Sequence, residues 1–387
     1  MTTVAFFGHD MGDAAVRRRV QAFTDDGIAI QGYMMRRGEP TPTEWPNVDL
    51  GPTIDEDYRQ RLGAIVRGVR VARAHAADLG AADLVYARNL DMLVCAAATM
   101  TATRISRPLI YECLDVHRLM VRTDPVGRAM RTAERLLLRR TDLLVVSSPG
   151  FIEHYFDVHH PGRFRSWLLE NRMAPGAFRD PRPAPGPVPS DRPLRLGWFG
   201  VLRCRRSLHL LTDLAAALGD RVEVVISGRP NEIEMPDFHR RVDALDNVRF
   251  TGPFRSPEDL PRLYAGVDLM WAADFMDAGF NSEWLLPNRL YEGGWYVTPA
   301  VAPAGTVTGR WIAERQAGFT VAEPLERSLI DLIDRLDQDR APIQQARIAL
   351  AGLPDDAFIQ PPGEMQALLD AAIGPSPATP RAESAAG

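Results

Sequence analysis

Residues 194–218, which read LRLGWFGVLRCRRSLHLLTDLAAAL, decide the fold of the second half of the chain. The apolar run over residues 194–199 predicts a buried strand that ends at Gly200. Apolar residues at helical spacing over residues 207–218 predict a helix, and Ser207 is expected to be its N-cap. A strand, a glycine turn and a helix in this order are typical of a Rossmann-type βα unit.

Three arginines, Arg203, Arg205 and Arg206, fall in the short turn between this strand and this helix. A helix N-terminus favours negative charge, and guanidinium groups form strong, directed bonds to phosphate. We therefore predict that a phosphate-bearing ligand binds at this turn.

The alternation of short apolar strands with amphipathic helices extends in both directions from this unit. Strands are predicted at residues 4–8, 28–34, 84–88, 109–112, 143–147 and 167–169, and again at 194–199, 222–227, 248–251, 269–272 and 300–301. Two such series predict an α/β fold with two Rossmann-like, doubly wound parallel sheets. Ligands of these sheets bind beyond the carboxyl ends of the strands, so a central cleft between two facing domains is the expected site.

A change of composition separates the two series. Residues 171–193 hold seven prolines, which predict an extended linker. We predict an acceptor-side N-terminal domain over residues 1–172 and a linker over 173–193. A C-terminal domain that binds the nucleotide sugar is predicted over 194–345. The helices predicted over 346–373 pack back toward the N-terminal domain, and a disordered tail is predicted over 374–387.

The composition excludes several kinds of site. All 45 cationic side chains are arginine, so a P-loop, a protein kinase, a pyridoxal enzyme and a lysine-based aldolase are each ruled out. No HxH, DxD or CxxC cluster predicts a metal site, and the three cysteines predict a reducing compartment. The net charge of −5 does not favour nucleic acid as a partner. No signal peptide or membrane span is recognisable, so a cytoplasmic location is expected.

Two motifs of the first half follow predicted strands. Gly8-His9-Asp10-Met11-Gly12 follows the first strand and has the spacing GxxxG, which is not the dinucleotide fingerprint GxGxxG. It is either a tight turn or a loop that contacts a ligand, with Asp10 able to accept a hydroxyl. Asp115 and His117 follow the strand at 109–112, where side chains face the expected cleft. We interpret His117 as functional.

A run of arginines follows His117. Its members are Arg118, Arg122, Arg128, Arg131, Arg135, Arg139 and Arg140. Met130, Ala133, Leu136 and Leu137 recur at helical spacing, which predicts a buried face opposite the arginines. The run is either a solvated helix face or a surface attracted to an anionic membrane or a phosphate-bearing acceptor.

The second half has a further motif, Pro287-Asn288-Arg289-Leu290-Tyr291-Glu292-Gly293-Gly294. Asn288 and Glu292 are four residues apart on a predicted helix and share a face. A carboxylate in this position is suited to bind a vicinal diol, such as that of a ribose. The preceding loop at 277–282 is rich in groups that hydrogen-bond sugars.

Taken in order, the GxxxG loop, the strand-end histidine, the proline-rich linker, WFGxLRxxR, SGR, VRFTG and PNRLYEGG resemble a GT-B glycosyltransferase of family 4, of the bacterial exopolysaccharide or cell-surface glycan type. The resemblance covers about residues 4 to 372. It implies that Gly200 and Arg206, helped by Arg203, clamp a donor diphosphate, and that Glu292 binds the ribose. It also implies that Pro253 and Phe254 meet the base, and that His117 touches the donor sugar. The other donor-binding residues predicted on this basis are Arg205, Gly228, Asn281, Ser282, Glu283, Asn288, Arg289 and Leu290, and the acceptor-side loop comprises Gly8, His9, Asp10, Gly12 and Asp115.

One position departs from the family pattern. The first glutamate of its E-x7-E motif should fall at residue 284, which is Trp284 in this chain. Either Glu283 serves in its place, or Asn281 and Ser282 hold the donor sugar.

The resemblance implies a retaining, metal-independent hexosyltransferase without a cofactor. Its donor would be a UDP- or GDP-sugar, and its acceptor a hydroxyl of a saccharide or of a lipid-linked glycan. It would work in the cytoplasm, in peripheral contact with the inner face of an anionic membrane. Two other hypotheses remain open: a nucleotide-sugar epimerase that recruits Asp10, Asp115 and His117, and a degenerate, non-catalytic protein that binds nucleotide sugars.

Overall fold

Two parallel β-sheets organise the chain in the computed structural model, which describes residues 1–53, 58–176 and 181–374. The chain divides into two units. Of the described residues, the first contains 1–146, 157–168 and 362–374, and the second contains 147–156 and 169–361.

The elements alternate along the chain. The strands are β1 (Thr3–Gly8), β2 (Ala29–Arg36), β3 (Asn47–Pro52), β4 (Leu84–Arg88), β5 (Leu109–Cys113), β6 (Leu143–Val146), β7 (Ser166–Leu168), β8 (Leu194–Leu202), β9 (Val222–Pro230), β10 (Val248–Phe250), β11 (Leu269–Trp271), β12 (Ala300–Pro303) and β13 (Gly318–Val321). The helices are α1 (Ala14–Asp25), α2 (Tyr58–Ala74), α3 (Ala76–Ala81), α4 (Leu90–Thr103), α5 (Arg118–Val121), α6 (Pro125–Leu138), α7 (Pro149–Phe151), α8 (Asp157–His159), α9 (Arg205–Leu218), α10 (Phe238–Val242), α11 (Leu260–Ala265), α12 (Asn281–Trp284), α13 (Asn288–Trp295), α14 (Val307–Arg315), α15 (Leu325–Gln338), α16 (Ala341–Gly352) and α17 (Glu364–Ile373). A π-helical turn (Ile152–Phe156) joins α7 to α8, and 3₁₀ turns occur at Gly219–Arg221 and Asp355–Ala357.

Both sheets are doubly wound, which confirms the predicted α/β fold class. The first sheet has the strand order β3-β2-β1-β4-β5-β6-β7, and the second has β10-β9-β8-β11-β12-β13. All strand pairs are parallel. The strand order reverses between β1 and β4 in the first sheet and between β8 and β11 in the second. Such switch points are where open α/β sheets bind their ligands.

The segment at residues 147–156 belongs to the second unit, although the predicted boundary lay at residue 172. Its contacts with α12 and α14 explain this. The Ser148 hydroxyl donates to the carbonyl of Trp284, and the His154 ring stacks on the Trp284 ring with centroids 5.8 Å apart. Arg310 donates to both carboxylate oxygens of Glu153, at 2.9 and 2.8 Å.

The C-terminal helices divide between the units. Helix α16 lies in the second unit, whereas α17 packs on α1 in the first. The Asp26 carboxylate accepts from the backbone N–H groups of Gly363 and Met365 at the start of α17. At its other end, the Arg165 guanidinium donates to the carbonyls of Ala371 and Gly374. No helix among the described residues combines the length and apolar character that crossing a bilayer requires.

Arginines hold residues 181–193 of the proline-rich segment against the rest of the second unit. Arg192 donates to both oxygens of the Asp268 carboxylate at 2.7 and 3.0 Å. Arg347 donates to the same carboxylate at 3.3 Å, and Arg340 donates to the carbonyls of Pro189 and Arg192. Residues 177–180 of the predicted linker and 375–387 of the predicted tail lie outside the described residues.

Removing the Asp268 carboxylate should destabilise the second unit strongly. Asp268 is fully buried and also accepts from the backbone N–H of Arg195. Asp268→Ala leaves two guanidinium groups without their shared anion, so we expect a loss of about 3–5 kcal/mol in the free energy of unfolding, measured by urea denaturation. The control is Asp331→Ala, which breaks the exposed pair with Arg327 and should change the free energy by less than about 1 kcal/mol. Equal effects of the two substitutions would contradict the role given to Asp268.

Candidate functional site

The βα turn of the second unit differs from its prediction in where the strand ends and the helix begins. Strand β8 continues two residues beyond Gly200 to Leu202, and α9 begins at Arg205. The N-cap is Cys204, whose Sγ accepts from the Ser207 N–H at 3.4 Å. The prediction of Ser207 as N-cap is wrong because the helix starts earlier. Ser207 is buried, and its hydroxyl accepts from the Trp271 indole N–H at 3.0 Å.

Gly200 and Gly228 are paired neighbours on β8 and β9. They have φ angles of 118° and 148°, which side chains rarely adopt. A Cβ at Gly228 would lie 1.8 Å from the Gly200 carbonyl oxygen, so no side chain fits between the two strands here. Bare backbone therefore lines this edge of the sheet, where a ligand can approach closely.

The loop after β10 is tied to the same edge. The Gly228 N–H and the Ser227 hydroxyl both donate to the Gly252 carbonyl, each at 2.9 Å. Pro253, next in the chain, is exposed, and Phe254 is half-buried against the core. The predicted base-binding residues therefore lie beside the paired glycines.

The three arginines of the turn separate into two groups. Arg203 forms an ion pair with Asp274 at 3.5 Å, and the Arg206 guanidinium carbon lies 4.8 Å from the centre of the Phe275 ring. Asp274 and Phe275 are consecutive residues of the loop after β11, so Arg203 and Arg206 meet at the switch point. Arg205 instead donates to the Glu234 carbonyl at 3.2 Å.

Carboxylates already surround Arg206. Its Nη2 lies 3.0 Å from Oε1 of Glu323 and 3.8 Å from Oε1 of Glu326. Neither Asp274 nor Glu323 belongs to a motif that is recognisable in the sequence. Their positions directly after β11 and β13, at the carboxyl edge of the sheet, are the only sequence signal that could have indicated them.

Glu292 lies on α13 and is 9% exposed. The hydroxyl of Tyr264 donates to its Oε2 at 3.1 Å, and burial, together with the charge of Glu292, raises the pKa of Tyr264 well above its usual range. Tyr264 therefore stays protonated and fixes one oxygen of the carboxylate. Sequence reasoning missed Tyr264, because nothing in the local pattern of α11 distinguishes it from a core aromatic residue.

The other predicted residues of α13 have different environments. Asn288 is its first residue and is half-buried. Arg289 donates to the Trp271 carbonyl at 3.4 Å and so ties the helix to β11. Leu290 is buried in the core of the second unit.

The loop before α13 is braced internally. Asn281 and Ser282 are buried, and the Ser282 hydroxyl accepts from the Asp277 N–H at 2.8 Å. Glu283 is exposed and accepts from the Gly279 N–H at 2.8 Å. Trp284, where the family pattern has its first glutamate, packs instead on the segment at 147–156. The structure therefore gives Glu283 a contact with its own loop.

In the first unit, the GxxxG loop lies at the switch point between β1 and β4. Gly8 ends β1, and Nδ1 of His9 lies 3.3 Å from Nδ2 of Asn89, which directly follows β4. Burial lowers the pKa of His9, and the Arg88 charge adds to this effect against the opposing charge of Asp13. His9 is therefore neutral at pH 7. Sequence reasoning missed Asn89, although its place after a strand at the switch point is a usable signal.

Other predicted residues at the carboxyl edge of the first sheet cap a helix or close a turn. The Asp10 carboxylate accepts from the Gly12 N–H at 2.9 Å and closes the loop. Asp115 and His117 are both exposed. His117 is the N-cap of α5, with its Nδ1 accepting from the Leu119 N–H at 3.2 Å.

A buried ion cluster lies behind this edge. Glu112 on β5 pairs with Arg19 at 2.9 Å and with Arg88 at 3.4 Å. Burial by itself raises the pKa of Glu112, but the two arginines outweigh it, and the net shift is downward. The charged carboxylate thus joins α1, β4 and β5 behind the loop that carries His9.

Helix α6 buries a different face from the predicted one. Its buried residues are Gly127, Glu134 and Leu138, whereas Ala133 and Leu136 are exposed. The reason is polar, because Glu134 accepts from the Tyr111 hydroxyl at 3.2 Å and its Oε2 lies 2.8 Å from Nε2 of His160. The exposed side of α6 therefore presents Val126 and Leu136, at 50% and 54% exposure. Its flanking exposed arginines are Arg122, Arg128, Arg139 and Arg140.

Among residues 1–53, 58–176 and 181–374, no group of three or more histidine, cysteine, aspartate or glutamate side chains is arranged to hold a metal ion. The three cysteines are buried and unpaired.

The chain was compared with known proteins. No protein-family profile matches it. The succinoglycan biosynthesis protein ExoL of Rhizobium meliloti (strain 1021) is 39% identical over 328 residues, which are 83% of this chain and 81% of ExoL.

Several solved structures share the fold. HepE of Anabaena, in complex with UDP and glucose, has a TM-score of 0.68 at 16% identity and covers 96% of this chain and 100% of its own. Sucrose-phosphate synthase of Thermosynechococcus elongatus has a TM-score of 0.69 at 15% identity and covers 96% and 98%. WaaG, a glycosyltransferase of lipopolysaccharide biosynthesis, has a TM-score of 0.60 at 17% identity and covers 96% and 100%. The chain therefore belongs to the family of the succinoglycan biosynthesis protein ExoL, and it has the GT-B glycosyltransferase fold that the sequence resemblance indicated.

Proposed function

We propose that the chain is a retaining glycosyltransferase that moves a sugar from a nucleotide diphosphate donor to a hydroxyl of a saccharide or lipid-linked glycan. The observation that carries this proposal is that the second unit places two arginines and a buried carboxylate at the carboxyl edge of its sheet. Arg203 and Arg206 lie beside the N-terminus of α9, and a buried carboxylate, Glu292, lies on α13. A nucleotide sugar carries a diphosphate that matches the arginines and a ribose diol that matches the carboxylate.

The comparisons support the donor and acceptor classes. HepE is a solved relative by fold that holds UDP-glucose, which favours a UDP-sugar over a GDP-sugar for this chain. ExoL takes part in succinoglycan biosynthesis, which favours a growing saccharide as the acceptor. In this proposal the protein uses no cofactor, and the nucleotide sugar is a co-substrate that the reaction consumes.

Each remaining donor group has a proposed partner. The backbone at Gly200 and Gly228 allows close approach of the diphosphate, and Pro253 with Phe254 meets the base. Asn281 and Ser282 offer an amide and a hydroxyl to the sugar. Arg205 and Arg289 are directed at backbone carbonyls, so we assign them to holding the loops rather than to the ligand.

The transfer exchanges one bond for another. The acceptor oxygen forms a bond to the anomeric carbon as the bond from that carbon to the β-phosphate oxygen breaks, and the departing phosphate takes the bonding electrons. The proton of the acceptor hydroxyl passes to that phosphate oxygen, so the products are a glycoside and the nucleoside diphosphate. Arg203, Arg206 and the N-terminus of α9 stabilise the negative charge that develops on the phosphate.

His117 has a role consistent with its tautomer. Because its Nδ1 accepts from the Leu119 N–H, the neutral ring carries its proton on Nε2. That N–H can donate to a hydroxyl or ring oxygen of the donor sugar.

Direct measurement of donor binding and turnover tests the proposal. We expect UDP-glucose or another UDP-sugar to raise the melting temperature of the protein, and to release UDP when an octyl glycoside acceptor is added. Equal rates with and without a chelator are expected, because arginines carry the charge stabilisation. Conversion of the donor without any acceptor would support an epimerase, and donor binding without turnover would support a non-catalytic binding protein. If no UDP- or GDP-sugar raises the melting temperature, the transferase, the epimerase and the binding-protein hypotheses are all contradicted.

Substitution of Glu292 should weaken nucleotide binding. Glu292→Gln removes the charge that accepts the ribose hydroxyls, so we expect at least a tenfold higher Kd for UDP, or about 1.4 kcal/mol, by calorimetry. Tyr264→Phe removes one hydrogen bond to Glu292 and should raise the Kd about two- to tenfold. The control is Glu283→Gln, which keeps an acceptor for the Gly279 N–H and should leave UDP binding nearly unchanged. A larger effect at residue 283 than at residue 292 would reverse the assignment.

We also infer that the protein works in the cytoplasm at the inner face of an anionic membrane, through the exposed side of α6. Glu134 is the only acid on α6, and it is buried, so the exposed side is apolar and basic. Such a face is typical of helices that lie in the lipid headgroup region.

Vesicle sedimentation tests this contact. The protein should sediment with vesicles that contain phosphatidylglycerol, and Arg139→Glu/Arg140→Glu should reduce binding more than tenfold, since each basic residue near the surface contributes about 1 kcal/mol. The control is Arg327→Glu/Arg335→Glu, which makes the same charge change on two exposed arginines of α15 in the second unit. If the α6 variant sediments as the control does, the contact does not involve α6.

A further inference from the structure

A carboxylate of the chain itself already binds Arg206, which lies in the first turn of α9. Helices α9 and α15 pack against each other, and both follow parallel strands of one sheet, so both begin at its carboxyl edge. Glu323 lies between β13 and α15, where its Oε2 accepts from the Leu325 N–H at 3.1 Å. The same carboxylate accepts from Nη2 of Arg206, at 3.0 Å to Oε1 and 3.2 Å to Oε2. One anion thus satisfies a helix N-terminus and the arginine to which the donor diphosphate was assigned.

The ion pair between Arg206 and Glu323 is exposed to solvent, so another anion can compete for the arginine. The side chain of Arg206 is 40% exposed, and those of Glu323 and Glu326 are 65% and 58% exposed. Ion pairs in such surroundings are weak. Within the described residues, the hydrogen bonds of Arg206 all come from Nη2, while the Phe275 ring supports the plane of the guanidinium. Arg206 is therefore held in place before any ligand arrives, and no residue in the described part of the chain accepts from its other N–H groups.

We propose that Glu323 is an internal competitor of the donor diphosphate and thereby sets the affinity of the site for its nucleotide. A diphosphate that reaches Arg206 places negative charge beside the Glu323 carboxylate, and like charges at this distance repel. The phosphate therefore competes with Glu323 for the positive charge of Arg206 and weakens the contact at Nη2. When the nucleotide leaves, the carboxylate regains that contact in full. This inference rests on the proposed function only in taking a diphosphate as the ligand of Arg206.

Calorimetry with inorganic pyrophosphate and with UDP tests the competition. Glu323→Gln keeps an oxygen acceptor for Arg206 and Leu325 but removes the charge, so we expect both ligands to bind about two- to fivefold more tightly, as befits an exposed pair. Glu326→Gln, which touches no backbone N–H of α15 in its described contacts, should act in the same direction with a smaller effect. The matched control is Glu314→Gln, an exposed glutamate of the same unit that pairs with Arg315, and it should bind as the wild type does.

The double variant Arg206→Ala/Glu323→Gln shows whether the effect passes through Arg206. It should bind pyrophosphate as weakly as Arg206→Ala alone, because no competition remains once the arginine is removed. Thermal unfolding without ligand establishes that each variant is folded. If Glu323→Gln proves unstable, Glu326→Gln carries the same test.

Three results would overturn the proposal. Glu323→Gln could bind pyrophosphate no better than Glu314→Gln does, or more weakly than the wild type, which would make Glu323 a positioning residue. Arg206→Ala could bind as the wild type does, which would make the pair a brace between α9 and α15. Failure of the proposed function is distinguishable, because pyrophosphate can show the expected pattern even if no sugar is transferred. Conversely, if the protein transfers sugar but Glu323→Gln and Glu314→Gln bind pyrophosphate with equal affinity, this inference alone would be overturned.

Discussion

The bond from an arginine guanidinium to a backbone carbonyl or a carboxylate is the interaction on which the rest of this structure depends. The chain has no lysine, and guanidinium groups make many of the polar contacts between its segments. Arg340 and Arg347 hold the proline-rich segment, and Arg165 holds the end of α17. Proline supplies a carbonyl without a matching N–H, and the fork of donors on arginine can satisfy two such carbonyls together.

This use of arginine limits what could be predicted about the site. Arg203, Arg205 and Arg206 were interpreted from the sequence as one cluster, since nothing in their spacing separates them. The structure directs Arg205 at the carbonyl of Glu234 and the other two at the loop after β11. A lysine in the same turn would have indicated a point charge for a ligand. An arginine can serve equally well in a structural contact with the backbone and in an anion site. Only the group that it bonds to in the folded protein distinguishes the two roles.

The strands were largely predictable, and the elements that were missed lack the apolar pattern by which a helix or strand is recognised. Helix α4 is buried on most of its surface, so it lacks the one-sided apolar periodicity that reveals a helix, and β3 is a short polar edge strand. On α6 one of the buried residues is Glu134, which no hydrophobic pattern selects, because its burial depends on hydrogen bonds with Tyr111 and His160 from other elements. The same limit applies to the proposed donor site: Gly200, Arg206 and Glu292 follow local patterns, whereas Tyr264, Asp274 and Glu323 reach it through the fold.

The charge balance of the second half shows why the site must act locally. Residues 191–387 carry 20 arginines against 28 acidic residues, so the field of this half as a whole repels an anionic ligand. At physiological ionic strength the Debye length is about 8 Å, and acids farther away than this are largely screened. What a diphosphate meets is therefore the short-range field of Arg203, Arg206 and the N-terminus of α9, and in that range the nearest opposing charges are Asp274 and Glu323. Because each of the two arginines already has a carboxylate partner, a ligand is favoured only if its charge density and geometry exceed those of the acid with which it competes. A diphosphate meets this condition better than a single carboxylate or an isolated monoanion does, so under the proposed function the paired acids would favour the donor over weaker anions.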